Sequence, residues 1–319
     1  MKGGKTMLSS NAKQLMLGAA SAAILMSSLS AAHADTAHKK TNINLAVASN
    51  FYGVPPLNSA ITDLINAFMI ANPKYTVTVV DNGATATLES HIINGNSLKA
   101  DLFLAADTAT PLDLLTNHFR LVIPYNSSFT PPLYTFDYAG GILALLRNTP
   151  DVDLFCTTGT CGYDPHVYKT VAIADPSLAP FGVAAQTVLT GRYDLMPPLS
   201  SNPLVHEYAN ITATYNAVIA QTDPVGFVAL SAICSSGNYP TSGTSALAYL
   251  PIENGSTPGV VINNYNPITQ AGIAIRNRRT ADQDTELEAF VAFLTDFTTS
   301  PSPDSPMITT LKKYCYSAP

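Results

Sequence analysis

INLAVASN, from Ile43 to Asn50, and VTVVDNGATATLESHI, from Val77 to Ile92, follow one plan twice: an alternating apolar run stops at Ser49 or Thr85 and an amphipathic segment follows. The alternation reads as a strand and the segment after it as a helix. A helix that opens at such a turn leaves its first backbone N–H groups without intrahelical partners. Hydroxyl and N–H donors then face one crevice, the makings of an anion or small-ligand pocket.

The alternation continues outward from these two units. A strand at 43–48 leads to a helix near 56–70, with Pro55 and Pro56 suited to its first turn. A strand at 75–80 leads to a helix near 85–94, and a strand at 102–105 to a helix near 110–118. The stretch PYNSSFTPPLYTFDYA, ending at Ala139, breaks the rhythm and reads as a crossover. A second series begins with ILALLR at 142–147. It continues with a strand at 170–174, a helix from Pro180, a strand near 204–208, a helix at 211–221 and a strand at 225–229. ITQAGIAIRN at 268–277 is a late strand. The helix expected over 282–297 sets Leu287, Phe290, Val291, Leu294 and Phe297 on one core-directed face. TTSPSPDSP at 298–306 reads as a loop between two C-terminal helices. Strands alternating with helices imply an α/β fold in two lobes, each a mainly parallel sheet flanked by helices. Lobe 1 is expected over 42–138 plus 268–319, and lobe 2 over 139–267.

Residues 1–34 combine Lys2, Lys5 and Lys13 with an apolar run from Leu15 to Leu29 and the ending Ala32-His33-Ala34, the pattern of a cleaved secretory signal. Residues 35–41 read as a spacer after the cleavage point. The remaining length, about 285 residues, suffices for two cores. Charged residues make up 12% and the net charge is −6, so no basic stripe is available for nucleic acid or an anionic membrane. Net charge does not steer an anion inward either. Four cysteines in an exported chain point to disulfides, with three pairings open. Loop closure over TTGT favours Cys156 with Cys161, and Cys234 with Cys315 would then follow.

The local signatures of catalysis are missing: no Gly-x-Ser-x-Gly elbow, Walker loop, Gly-x-Gly-x-x-Gly run or His-Glu-x-x-His helix. His91, His118, His166 and His206 are isolated in sequence, and Asp81, Asp101, Asp107, Asp175 and Asp223 sit where carboxylates serve caps and turns. A non-enzymatic binding role is therefore expected. The turns Ser49-Asn50, Thr85-Ala86-Thr87, Pro180-Phe181-Gly182 and Asn210-Ile211-Thr212 are the stronger candidates for ligand contact, since each falls where a helix begins. An oxyanion without a donatable proton suits such donor-only coordination. The plainer reading is that Ser49, Thr85 and Asn210 only cap their own helices.

At these turns the chain resembles the periplasmic molybdate-binding proteins of ABC importers, a class of type II periplasmic solute-binding proteins. The matching pieces are LAVASN at 45–50, the run from Thr87 to Leu115 that contains LKADLFLAAD, AIADPSLAPFG at 172–182 and PVGFVA at 224–229. The resemblance implies a two-lobed periplasmic-binding-protein type II fold that closes on its ligand about a hinge. It implies a periplasmic, monomeric protein with no cofactor, which captures molybdate or a related tetrahedral oxyanion and presents it to an importer permease. It places the two hydroxyl ligands on Ser49 and Thr85 and the backbone N–H ligands on Phe181 and Ile211, and the N–H groups around Asn50 and Thr85 are expected to complete the shell. The family's tyrosine ligand falls on Ala229, and Phe181 is bulkier than the residue usual at its position. Both departures point to another anion, a phosphate ester, sulfate or small carboxylate, as the alternative ligand. An exported enzyme or a surface antigen on the same fold are the remaining alternatives.

Overall fold

A computed structural model describes residues 40–53, 59–123, 135–148, 170–193, 195, 198–234, 236–238, 247–252, 265–299 and 304–319. The expected signal segment and the Cys156–Cys161 pair lie outside them. In chain order the elements are β1 (Thr41–Ala48), α1 (Ser49–Tyr52), α2 (Ala60–Ala71), β2 (Tyr75–Gly83), α3 (Thr85–Ile93), β3 (Leu102–Leu104), α4 (Ala109–Asn117) and β4 (Phe136–Gly141). There follow β5 (Leu143–Asn148), β6 (Val171–Ala174), α5 (Pro180–Tyr193), β7 (Val205–Tyr208), α6 (Ile211–Ile219), β8 (Val225–Ala229) and β9 (Leu247–Ile252). The last are β10 (Ile268–Ala274), α7 (Ala281–Leu294) and α8 (Pro306–Lys313).

Two five-stranded sheets result, in the orders β2-β1-β3-β10-β4 and β7-β6-β8-β5-β9. Each is parallel in its first three strands, as the strand–helix alternation requires. Each turns antiparallel in its remaining pairings, where β10 meets β3 and β4, and β5 meets β8 and β9. The sheets are thus mixed rather than mainly parallel, because the strands that pass between the lobes enter from the opposite end. The chain crosses between the sheets at Ile142, between β4 and β5, and returns between β9 and β10.

Packing follows the sequence pattern. β1 is an inner strand of its sheet, and its last four residues are buried without alternation, as expected of a strand covered on both faces. α7 lays Leu287, Phe290, Val291 and Leu294 into the core of the first lobe. A capping box between Thr280 and Gln283 fixes where it starts. Phe68 of α2 meets Phe290 edge-on at 5.0 Å between ring centroids. α2 begins at Ala60 under a Ser59 cap, four residues later than the prolines alone indicate. In the second lobe Leu143, Leu145, Ile173, Phe181, Leu189 and Phe227 build a core that continues across the cleft to Ala48, Ala84 and Ala106 of the first. A disulfide joins Cys234, just beyond β8 in the second lobe, to Cys315, just after α8, whose Met307 and Leu311 are buried in the first.

Candidate functional site

The ends of β1 and β2 bring the two opening motifs side by side. The strands run parallel, with Ala48 paired to Gly83, so the residues that follow them emerge together. The N-cap of α1 is Ala48 and that of α3 is Ala84, and neither side chain can cap. Ser49 and Thr85 are the first helical residues instead, and both are buried. The capping explanation therefore fails for them. It holds for Asn210, whose Oδ1 accepts from the Ala213 N–H at 2.9 Å. Thr85 Oγ1 accepts from the Ala106 N–H at 3.1 Å, which leaves the hydroxyl proton to donate elsewhere.

From the second lobe, α5 and α6 point their first turns at the same place. Gly182 makes the approach of α5 possible: a Cβ there would lie 2.2 Å from the Ala174 carbonyl oxygen at the end of β6. The ring of the neighbouring Phe181 is buried against Gly141, where a Cβ would come within 2.7 Å of it. The bulk of Phe181 thus occupies space that Gly141 leaves open. Ser49, Asn50, Thr85, Phe181 and Ile211 all border one cavity of about 10 Å³, with Ala48, Gly83, Ala84, Ala106, Ala179 and Pro180 completing its wall. That is room for about one water-sized sphere. No side chain of its wall carries a charge.

Among the described residues, hydrogen bonds cross the cleft around this cavity. The Ala86 N–H donates to the Leu178 carbonyl at 3.1 Å, Thr212 Oγ1 to the Ser49 carbonyl at 3.3 Å, and Ser231 Oγ to the Asn50 carbonyl at 3.5 Å. The lobes are therefore closed on each other. Ala229 does not border the cavity; it is buried at the end of β8 and pairs with Leu143.

Behind Asn50 lies a buried polar network that local sequence reading missed. Asn50 Nδ2 donates to Gln270 Oε1 at 2.9 Å, and Tyr316 OH donates to the Asn50 carbonyl at 2.8 Å. Tyr138 OH lies 2.9 Å from the Ala105 carbonyl and 3.0 Å from Gln270 Oε1. Burial pushes both phenols above their ordinary range, so they stay protonated and act as donors. A glutamine inside the apolar strand ITQAGIA is the one local signal of this network. Where α3 faces α4, burial and the charges of Asp113 and Asp107 push the Glu89 carboxyl up to about 7. Burial raises Asp107 as well, against the bonds it accepts from Thr110.

Residues 49–299 match the bacterial extracellular solute-binding protein family, and the chain belongs to that family. Among solved structures it is similar to the periplasmic molybdate-binding protein of Azotobacter vinelandii, at 21% identity and a TM-score of 0.62, over 87% of this chain and 99% of that one. It is also similar to the substrate-binding domain of a putative molybdenum ABC transporter from Clostridium difficile, at 18% identity and a TM-score of 0.51, over 87% and 98%. A third is the periplasmic binding protein AfuA of Actinobacillus pleuropneumoniae with fructose-6-phosphate bound, at 13% identity and a TM-score of 0.54, over 86% and 83%. These similarities establish the two-lobed α/β fold of type II periplasmic binding proteins.

Proposed function

We propose that this protein captures a tetrahedral oxyanion between its lobes and delivers it to the permease of an ABC importer, with molybdate or tungstate as the leading ligand. One observation carries the reading. Four strand-to-helix turns from two lobes converge on one uncharged cavity whose polar side chains are those of Ser49, Asn50 and Thr85. Ser49 and Thr85 donate hydroxyl hydrogen bonds to the anion, and the N–H groups of Asn50, Phe181 and Ile211 complete the shell. Donors alone suit an ion that has only acceptors to offer. The cavity is small enough that the anion enters as the cleft opens and is held when the walls close on its oxygens. Exclusion of water then strengthens each dipole. The likeness to two molybdate- or molybdenum-related proteins supports the choice of ion.

Ala229, which supplies no donor, favours the second reading, a different oxyanion on the same turns. Calorimetric titration of the mature protein with molybdate, tungstate, sulfate and phosphate separates the two. Binding of molybdate and tungstate alone supports the first and binding of sulfate or phosphate alone the second. Binding of none of the four, and of no phosphate ester, refutes the oxyanion site.

A further inference from the structure

A second cavity adjoins the oxyanion site and is far larger, about 440 Å³. The two share Ala106, Ala179 and Pro180 in their walls, so whatever is held at Ser49 and Thr85 lies next to it. It too lies between the lobes. The first lobe contributes Asp107, Thr110 and, from β10, Thr269, the second Ser177 and Thr187, and the returning crossover Asn266. Its size falls within the range of small-molecule sites and is far more than a bare oxyanion fills.

The chemistry of its wall narrows what it accepts. No lysine, arginine or histidine borders it, so nothing there balances a second negative charge. The Thr110, Ser177 and Thr187 hydroxyls already donate, to Asp107, to Asp175 and to the Val183 carbonyl, so towards a ligand they accept, while the Thr269 hydroxyl and the Asn266 amide can both donate and accept. The one charged group is the Asp107 carboxylate. Its Oδ1 accepts from the Thr110 N–H at 2.7 Å and its Oδ2 from the Thr110 hydroxyl at 3.1 Å. The Ala109 N–H bonds the same carboxylate, and the lone pair that remains can meet a ligand hydroxyl.

We propose that this cavity seats an uncharged polyhydroxy substituent attached to the oxyanion, so that the protein binds phosphate monoesters of polyols across both cavities. The inference rests on the oxyanion site proposed above: the phosphoryl group takes the turns at Ser49, Thr85, Phe181 and Ile211, and the polyol passes Ala106 and Ala179 to reach Asp107.

The test is titration calorimetry of the mature protein with inorganic phosphate, molybdate, glycerol 3-phosphate, glucose 6-phosphate, and free glycerol and glucose. An ester is expected to bind at least tenfold more tightly than inorganic phosphate, and the free polyols not measurably. Val183→Trp adds bulk at an exposed wall position of the larger cavity, and Thr187→Trp does so one helical turn further on. Each is expected to bring ester affinity down to that of phosphate, while the affinity for the bare anions stays within twofold. If phosphate or molybdate binds and the esters gain nothing, this proposal is overturned and the oxyanion reading stands. Esters that bind equally well to the parent and to both tryptophan variants place the substituent elsewhere and overturn it too. Absence of binding by every anion, bare or esterified, removes both.

Discussion

Replacing both cysteines of the Cys234–Cys315 bond by serine removes a covalent tie between the lobes and leaves no free thiol at either position. The bond closes a loop of 81 residues. On the chain-entropy relation, such a loop costs the unfolded state about 15 cal/mol/K, or about 4.5 kcal/mol near room temperature. Unfolding entropy for the 215 described residues is about 0.45 kcal/mol/K at the midpoint, so the double variant should melt about 10 °C lower. The native contacts around the bond survive the change, because the Gly237 N–H still donates to the Lys313 carbonyl at 2.9 Å. Scanning calorimetry of parent and variant without reductant measures the difference. A loss of less than about 2 °C would show that restriction of the unfolded chain is not what this bond contributes, and the estimate would fall with its premise.

Other consequences are as direct. Ser49→Ala and Thr85→Ala each remove a hydroxyl bond to a charged ligand, worth about 1.5–3 kcal/mol, so titration should show oxyanion affinity falling roughly 10- to 150-fold. Gly182→Ala forces a Cβ to within 2.2 Å of the Ala174 carbonyl, and about 1–3 kcal/mol lost in denaturant melts, with weaker anion binding, is the expected outcome. Ala229→Tyr should shift preference towards molybdate in competition titrations; unchanged selectivity would end the argument from that position. Glu89, raised to about 7 from a reference of 4.5, is protonated more readily folded than unfolded. Its contribution is fully present below the unfolded value and is lost as pH rises through about 7. Melting temperatures of Glu89→Gln against the parent should diverge over that window, with the variant favoured at higher pH.

The strand-to-helix turns were legible because their cause is local. An apolar run that ends at Ser49 or Thr85, or before Gly182 or Asn210, signals its own geometry through period and turn chemistry. Convergence of the four turns was not local, and only the resemblance brought them together. The reversal of β10 and β5 escaped because strand direction is set by the far ends of crossovers, about which LALLRN and ITQAGIA say nothing. β9 escaped too: Pro251 within LAYLPI argues against a strand, yet it sits in an edge strand, where a missing N–H is tolerated. The network behind Asn50 joins residues 220 and 266 positions apart, a separation no local pattern encodes. Alanine caps at 48 and 84 were plainly written in the sequence, but their meaning, helix ends left for a ligand to complete, depends on which residue begins the helix.

The placement of β10 also has a consequence for how the protein is made. In the first sheet β10 lies between β3 and β4, so β4 has no neighbour there until residue 274 has been synthesised and delivered. The second sheet draws all its strands from 143–252. A chain emerging from its N-terminus therefore assembles its interior half first, while the strands that came out ahead of it wait with open edges. Those edges are the surface a chaperone of the export route would have to cover.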